Sequence, residues 1–314
     1  MPPTIKPPLV ISERRHWFHI LFLWKGSVVP AILPRVFFCA AFSFLVSFFY
    51  HFGLNLTLPI ESGLVPSLVL GLLLVFRTNT AYERFWEGRK AWGALVNTVR
   101  NMARNIWVTV KESHPDDRKE KIDTLRLLVA FAISTKLHLR AEKNFEELRP
   151  FVKPTYYDKL LTMNHPPLEI AFWIGDYLHK QYEEQKINSY VFTSMLKLLD
   201  LLVDNLGVCE RILKTPIPLA YSIHLKQLLL IYCLTLPFQF VDECKWFTAF
   251  FVAIVSFTVF GIEEIGIEIE NPFGRDDNDL PLDQICETME RNINDLITLS
   301  PDARHWQTQD QLIE

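Results

Sequence analysis

The chain reads as an all-α membrane protein, with four membrane-spanning helices in two hairpins and a large cytoplasmic helical block between them. Three observations carry that reading. Four apolar stretches, about Val28–Phe49, Gly63–Phe76, Ile223–Val241 and Trp246–Ile262, have the composition of bilayer-crossing helices. The region between the second and third is rich in charge and repeats its apolar residues at helical spacing. No stretch sustains the period-two alternation of a strand. Hydrophobic residues make up 49% of the 314 residues and charged residues 22%, a mixture that suits a part-membrane, part-aqueous protein.

The first residues, with Pro2, Pro3, Pro7 and Pro8, cannot form regular helix. His16–Trp24 is aromatic and amphipathic and suits a membrane surface. No secretory signal pattern is visible. The first span carries Pro30, Pro34 and Arg35 near its start and is then almost wholly apolar. The second has only fourteen residues, about 21 Å at the helical rise, less than the ~30 Å hydrocarbon core. Leu54–Ile60 could lengthen it, or it could sit inside an oligomer. From Arg77 the charges return at helical spacing to about Glu112. His114-Pro115-Asp116 then breaks the helix, with Asp116 as the expected N-cap of the next one, to His138. Leu168–Glu184 and Ile187–Leu213 read as further amphipathic helices. The short link Asp242–Lys245 makes the last two spans an antiparallel hairpin. Leu282–Ser300 is again helical in period.

Charge sets the topology. Arg14, Arg15 and Lys25 precede the first span and Arg77, Arg84, Arg89 and Lys90 follow the second, whereas His51–Ser62 between them holds no Lys or Arg. Both flanks are therefore expected in the cytoplasm. The expected segments are an N-terminal interfacial one (1–27), a first hairpin (28–76), a cytoplasmic helical domain (77–222), a second hairpin (223–262) and an acidic loop with a C-terminal helix (263–314).

The net charge of −4 argues against a nucleic-acid partner. Cys39, Cys209, Cys233, Cys244 and Cys286 are odd in number and form no CxxC pair, which excludes a zinc ribbon or a disulfide framework. Enzyme signatures such as HExxH, a Walker A loop or GxSxG are absent from the sequence, so the chain is read as a non-enzyme.

Four constellations remain. Leu64, Leu68 and Leu72 fall at i, i+4 and i+8 and form one stripe on the second span, beside Val65, Val69 and Leu73. The stripe is either a packing face or a hydrophobic constriction, and Gly71 would permit close helix approach. Arg77-Thr-Asn-Thr-Ala-Tyr-Glu-Arg-Phe-Trp-Glu-Gly-Arg89 is either an interfacial helix with aromatic anchors or a site where Arg77 attracts anions by its field. In Cys209-Glu-Arg-Ile-Leu-Lys-Thr-Pro-Ile-Pro218, two prolines fix an extended backbone around Ile217. This segment is a linker or a second constriction. Glu268-Ile-Glu-Asn-Pro-Phe-Gly-Arg-Asp-Asp-Asn-Asp279 packs five carboxylates and two asparagines into twelve residues. It is a solvated turn or a loop for a hard cation, though its spacing is not that of an EF-hand.

Taken in order, these elements resemble the bestrophin family, and the resemblance runs from Arg14 to about Glu290. It is carried by Asn271-Pro-Phe-Gly before the acidic run, by Thr215-Pro-Ile-Pro218 after Cys-Glu-Arg, and by Phe76-Arg-x-Asn-x-x-Tyr-x-Arg-Phe-Trp-Glu-Gly-Arg89. The resemblance implies a homopentamer in a lipid bilayer, with one central pore for chloride and other small monovalent anions. It implies a neck ringed by Leu64, Leu68 and Leu72, where animal members carry Ile and Phe, and a cytosolic aperture at Ile217. Arg77 would flank the pore. No cofactor is required, but calcium-regulated members bind Ca²⁺ through this loop and an N-terminal carbonyl. Glu268, Asn271, Asp276 and Asp279 match those positions, while Asn278 interrupts the acidic run. The expected membrane is a bacterial plasma membrane, with the thylakoid as alternative. A cation-permeable channel, a membrane-anchored scaffold and an acidic-cluster metal enzyme are the competing readings.

Overall fold

The computed structural model describes residues 22–54, 57–59 and 64–299, with the side chain of Leu64 excepted. His16–Leu21 of the expected interfacial segment, the first residues of the chain and Ser300 lie outside the described residues. No strand occurs among the described residues. The helices are α1 (Val29–His51), α2 (Leu64–Thr109), α3 (Pro115–Leu139), α4 (Pro154–Leu160), α5 (Pro166–Glu183), α6 (Ser189–Lys214), α7 (Leu219–Cys244), α8 (Thr248–Glu268) and α9 (Leu282–Thr298).

The four apolar stretches fall on α1, the first part of α2, α7 and α8. By length and composition, Val29–His51, Val65–Thr109 and Leu219–Glu268 could each cross a membrane. One 3-10 turn at Lys245–Phe247 divides the last into α7 and α8. The expected polar link is thus shorter than the sequence suggested, because Asp242, Glu243 and Cys244 complete α7. The chain reverses at Lys245, where φ is +50°, a value uncommon for a residue with a Cβ.

Among the described residues, Leu54–Ile60 does not lengthen the second span as a helix. Leu58 is not helical, and its N–H donates to the Phe238 carbonyl at 2.7 Å. Instead α2 continues without a break through Arg77 to Thr109, 46 residues and about 69 Å at the helical rise. Composition changes at Arg77, but nothing there stops a helix: no Pro or Gly lies between Gly71 and Gly88.

Asp116 is not an N-cap either. Pro115 begins α3, where its missing N–H costs nothing. Asp117 in the first turn accepts from the Ser113 and His114 amides at 2.7 and 2.9 Å. Proline opens α5 in the same way, behind N-cap His165, and Asn188 Oδ1 caps α6 by accepting from the Val191 N–H at 2.9 Å.

The chain divides into two compact units. One holds residues 1–79, 218–268 and 276–278, and the other 80–217, 269–275 and 279–314. In the first, α1 packs on α7 and α8, which pack on each other. Its core is a band of Ile32, Val36, Leu70, Leu74, Leu229, Cys233 and Val252. In the second, α3 packs against α5, α6 and α9. Trp92, Leu95, Trp107, Leu125, Leu128, Phe131 and Leu137 are fully enclosed there. The amphipathic α9 delivers Leu282, Cys286, Met289 and Ile293 to this core at helical spacing. All five cysteines are free. Burial pushes the Cys209 and Cys286 thiols up to about 12, so neither is a ready nucleophile.

Candidate functional site

The leucine stripe is the largest unfilled apolar face on α2. Leu68 is 76% exposed and Leu72 56%, and Val65, Val69, Val75 and Phe76 are exposed on the same side. One helical step away, Leu70 and Leu74 are buried at 4% and 3%. The helix therefore spends one face on the protomer core and leaves the leucine face uncovered. Leu64 begins the helix, but its side chain lies outside the described residues. Gly71 does not bring a second helix close within the chain, since a Cβ there would meet nothing within 4 Å.

Arg77 follows the stripe directly on α2, with its side chain enclosed. It is buried at 4% exposure, directed into the first unit and away from the exposed stripe. Its guanidinium lies 3.5 Å from Ser222 Oγ, and its Cγ is 3.3 Å from where a Cβ on Gly266 would stand. The Tyr221 hydroxyl donates to the Leu73 carbonyl at 2.6 Å, tying α7 to α2 beside it. The same unit holds an ion pair that sequence reading missed. Arg35 lies 2.7 Å from Glu264 and 3.5 Å from Glu263, carboxylates that are only 8% and 2% exposed.

Ile217 is half-buried in a turn held from both sides within the second unit. Arg84 donates from Nε to the Glu270 carbonyl at 3.2 Å and from a terminal nitrogen to the Ile212 carbonyl at 2.6 Å. Its other terminal nitrogen donates to the Thr215 carbonyl. Glu270 Oε1 in turn accepts from the Ile217 N–H at 2.9 Å. One guanidinium thus satisfies carbonyls left orphaned at the end of α6, and one carboxylate fixes the amide between the two prolines. The helical spacing of Arg84 suggested only a charged interfacial face, and Glu270 looked like one more acid in an acidic loop. Nothing local in the sequence marks their shared target.

The Asn-Pro-Phe-Gly turn docks on α2 at Gly88. Phe273 is fully buried, and a Cβ on Gly88 would meet Pro272 Cγ at 2.9 Å and the Phe273 ring at 3.1 Å. Close approach is the reason for glycine here. Arg140 Nε donates to the Phe273 and Gly274 carbonyls, both at 3.1 Å. Arg275 pairs with both oxygens of Glu142 at 2.8 and 2.9 Å. Asn271 Oδ1 accepts from the Phe273 N–H at 3.3 Å, and Asp279 lies across Gly274. In the first unit, Asn278 Nδ2 donates to the Gly26 carbonyl and to Glu268 Oε2, both at 3.3 Å. Asp277 is 3.5 Å from the Lys25 ammonium, and Asp276 is exposed and adds a further carboxylate to the run. As donors, Glu268, Asn271, Asp276 and Asp279 are hard oxygen ligands of the kind Ca²⁺ takes.

Comparison with known proteins agrees with the sequence motifs. A family model described as Bacterial/Fungal Bestrophin protein matches residues 9–295. A voltage-dependent anion channel-forming protein of Nostoc sp. is 60% identical over 291 residues, 93% of this chain and 95% of that protein. The voltage-dependent anion channel-forming protein YneE of Escherichia coli K12 is 31% identical over 299 residues, 94% of this chain and 95% of the relative. Among solved structures, a bacterial bestrophin homolog from Klebsiella pneumoniae superposes with a TM-score of 0.78 at 28% identity. It covers 85% of this chain and 99% of its own. The chain belongs to the bestrophin family.

Proposed function

We propose that the protein is a homopentameric membrane channel that passes chloride and other small monovalent anions, and not an enzyme. The observation that carries this reading is the uncovered leucine face of α2. An apolar stripe with Leu68 and Leu72 at 76% and 56% exposure asks for a cover that the single chain lacks. Around a five-fold axis, Leu64, Leu68 and Leu72 would form three apolar rings that oppose ion entry by dehydration. Ile217, held by Glu270 and two prolines, would form the narrower cytosolic exit. The names of the relatives, voltage-dependent anion channel-forming proteins, support an anion as the permeant species.

In this reading α1, the first part of α2, α7 and α8 cross a bacterial plasma membrane or a thylakoid membrane, and residues 80–217 form the cytoplasmic block. The buried Arg77 would act on ions through its field rather than by contact. Calcium enters as an added regulator: Glu268, Asn271, Asp276 and Asp279 would supply oxygen ligands from one loop. The Asn278 amide nitrogen already occupies the Gly26 carbonyl and the Glu268 carboxylate, so the ion would have to displace it.

Purified protein in liposomes tests the reading. Chloride efflux is expected, and Leu68→Ala should change its rate severalfold while the protein keeps its melting temperature. Absence of flux, from wild type and variant alike, would favour a membrane-anchored scaffold. Sodium flux without chloride flux would make it a cation channel. Repeating the assay with Ca²⁺ and with a chelator tests the acidic loop.

A further inference from the structure

Away from the leucine face and the acidic loop, three chain segments of the second unit bring two imidazoles and a carboxylate together. His138 stands in the last turn of α3, His165 is the N-cap of α5, and Glu210 lies on α6. His138 Nε2 is 2.5 Å from Glu210 Oε1, and His165 Nε2 is 2.9 Å from the same oxygen. The two rings lie 4.6 Å apart, tilted by 43°. The three ligand atoms all fall within 4.8 Å of one another, and among the described residues this is the group of three His, Cys, Asp or Glu side chains so gathered.

We propose that His138, His165 and Glu210 form a binding site for a borderline transition-metal ion of the Zn²⁺ class. Two imidazole nitrogens and one carboxylate oxygen are the donor set such an ion prefers, and a poor one for Ca²⁺ or Mg²⁺. Zn–N bonds of about 2.0–2.1 Å place tetrahedral ligand atoms about 3.4 Å apart, so each present contact opens by less than an ångström on binding. Lys214 lies 3.3 Å from Oε2 of Glu210. It therefore holds the oxygen that the imidazoles do not use and leaves Oε1 for the metal. The three side chains are 24%, 34% and 19% exposed, which leaves room for water to complete the coordination sphere.

The proton balance is explicit. His165 Nδ1 accepts from the Leu168 N–H at 3.3 Å, so its neutral ring carries its proton on Nε2. A metal at Nε2 moves that proton to Nδ1 and gives up the weak contact to Leu168. His138 shifts its proton from Nε2 to Nδ1 in the same way, and neutral rings release no net proton. Glu210 stands one turn before the end of α6, whose last carbonyls are those that Arg84 holds above Ile217. An ion there would join the C-terminal end of α6 to α3 and to the start of α5.

The test uses full-length protein in detergent, stripped of metal and titrated with Zn²⁺ and with Co²⁺. Calorimetry should show one ion per chain, and bound Co²⁺ should give a visible absorption band that excess Zn²⁺ removes and Ca²⁺ does not. His138→Ala and Glu210→Gln should each weaken binding at least tenfold. His165→Asn keeps an N-cap acceptor but removes the ligand nitrogen. It should lose binding while keeping the metal-free melting temperature, an outcome that a purely structural role for His165 would not give. No saturable binding, displacement by Ca²⁺, or binding that the folded variants leave unchanged would overturn the proposal. These readouts do not involve conduction, so their failure is separate from failure of the channel reading.

Discussion

The two units solve the problem of burial in opposite ways. In the second, the largest apolar side chains are enclosed by the chain itself: Trp92, Leu128, Phe131 and Leu137 are at 0% exposure. In the first, Phe37, Leu68, Phe250 and Phe44 stand 76%, 76%, 62% and 52% exposed, and the enclosed residues make only a narrow band between helices. The second unit encloses its largest side chains within its own helices. The first leaves much of its aromatic and leucine surface uncovered. Residues that decide stability therefore concentrate in one unit, and apolar residues free to take on function concentrate in the other.

The largest effect that would sharpen this contrast is in the enclosed core. Phe131→Ala should destabilise the second unit by about 3–5 kcal/mol, read as a lowered denaturant midpoint. Leu68→Ala, of comparable apolar character but uncovered, should change the same midpoint by no more than about 0.5 kcal/mol. Equal losses would break the comparison. The next effect tests a close approach. Gly88→Ala puts a methyl 2.9 Å from Pro272 Cγ, and overpacking of that kind should cost about 1–3 kcal/mol in thermal unfolding.

The smallest effect is a pH dependence. The Lys186 ammonium, 2.8 Å from Asp117, holds the Asp117 carboxyl well below the usual carboxylate range. The His114 and Ser113 amides add to this, and together they outweigh its burial. A depressed folded pKa means the stabilisation is fully present above the unfolded value of about 3.9 and is lost as pH falls below it. Wild type should therefore lose unfolding stability on acidification below about pH 4, and Asp117→Asn should flatten part of that slope. A variant with the wild-type slope would remove Asp117 from the account.

Much of the fold was legible because apolar composition and helical period are local properties. The apolar helices, the charged helices between them and the amphipathic α9 could be placed from residue order alone. The continuity of α2 was not legible, because the change in polarity at Arg77 resembles an end although no breaker residue stands there. The leucine stripe could be found by its spacing, but only the burial of Leu70 and Leu74 separates its free face from its packed one. Arg77 could be read as a charge next to the stripe, but its enclosure beside Ser222 and Gly266 could not. Arg84 with Glu270, and Gly88 with Phe273, are pairings across more than 180 residues of chain. His138, His165 and Glu210 are likewise distant in sequence, and no spacing rule reaches that far.

The central claim is that the uncovered face of the first unit lines an anion path. Reversal potential in a planar bilayer under a NaCl gradient tests it most directly. The account predicts a reversal potential near the chloride equilibrium potential, whereas a shift to the sodium equilibrium potential, or no current at all, would contradict it.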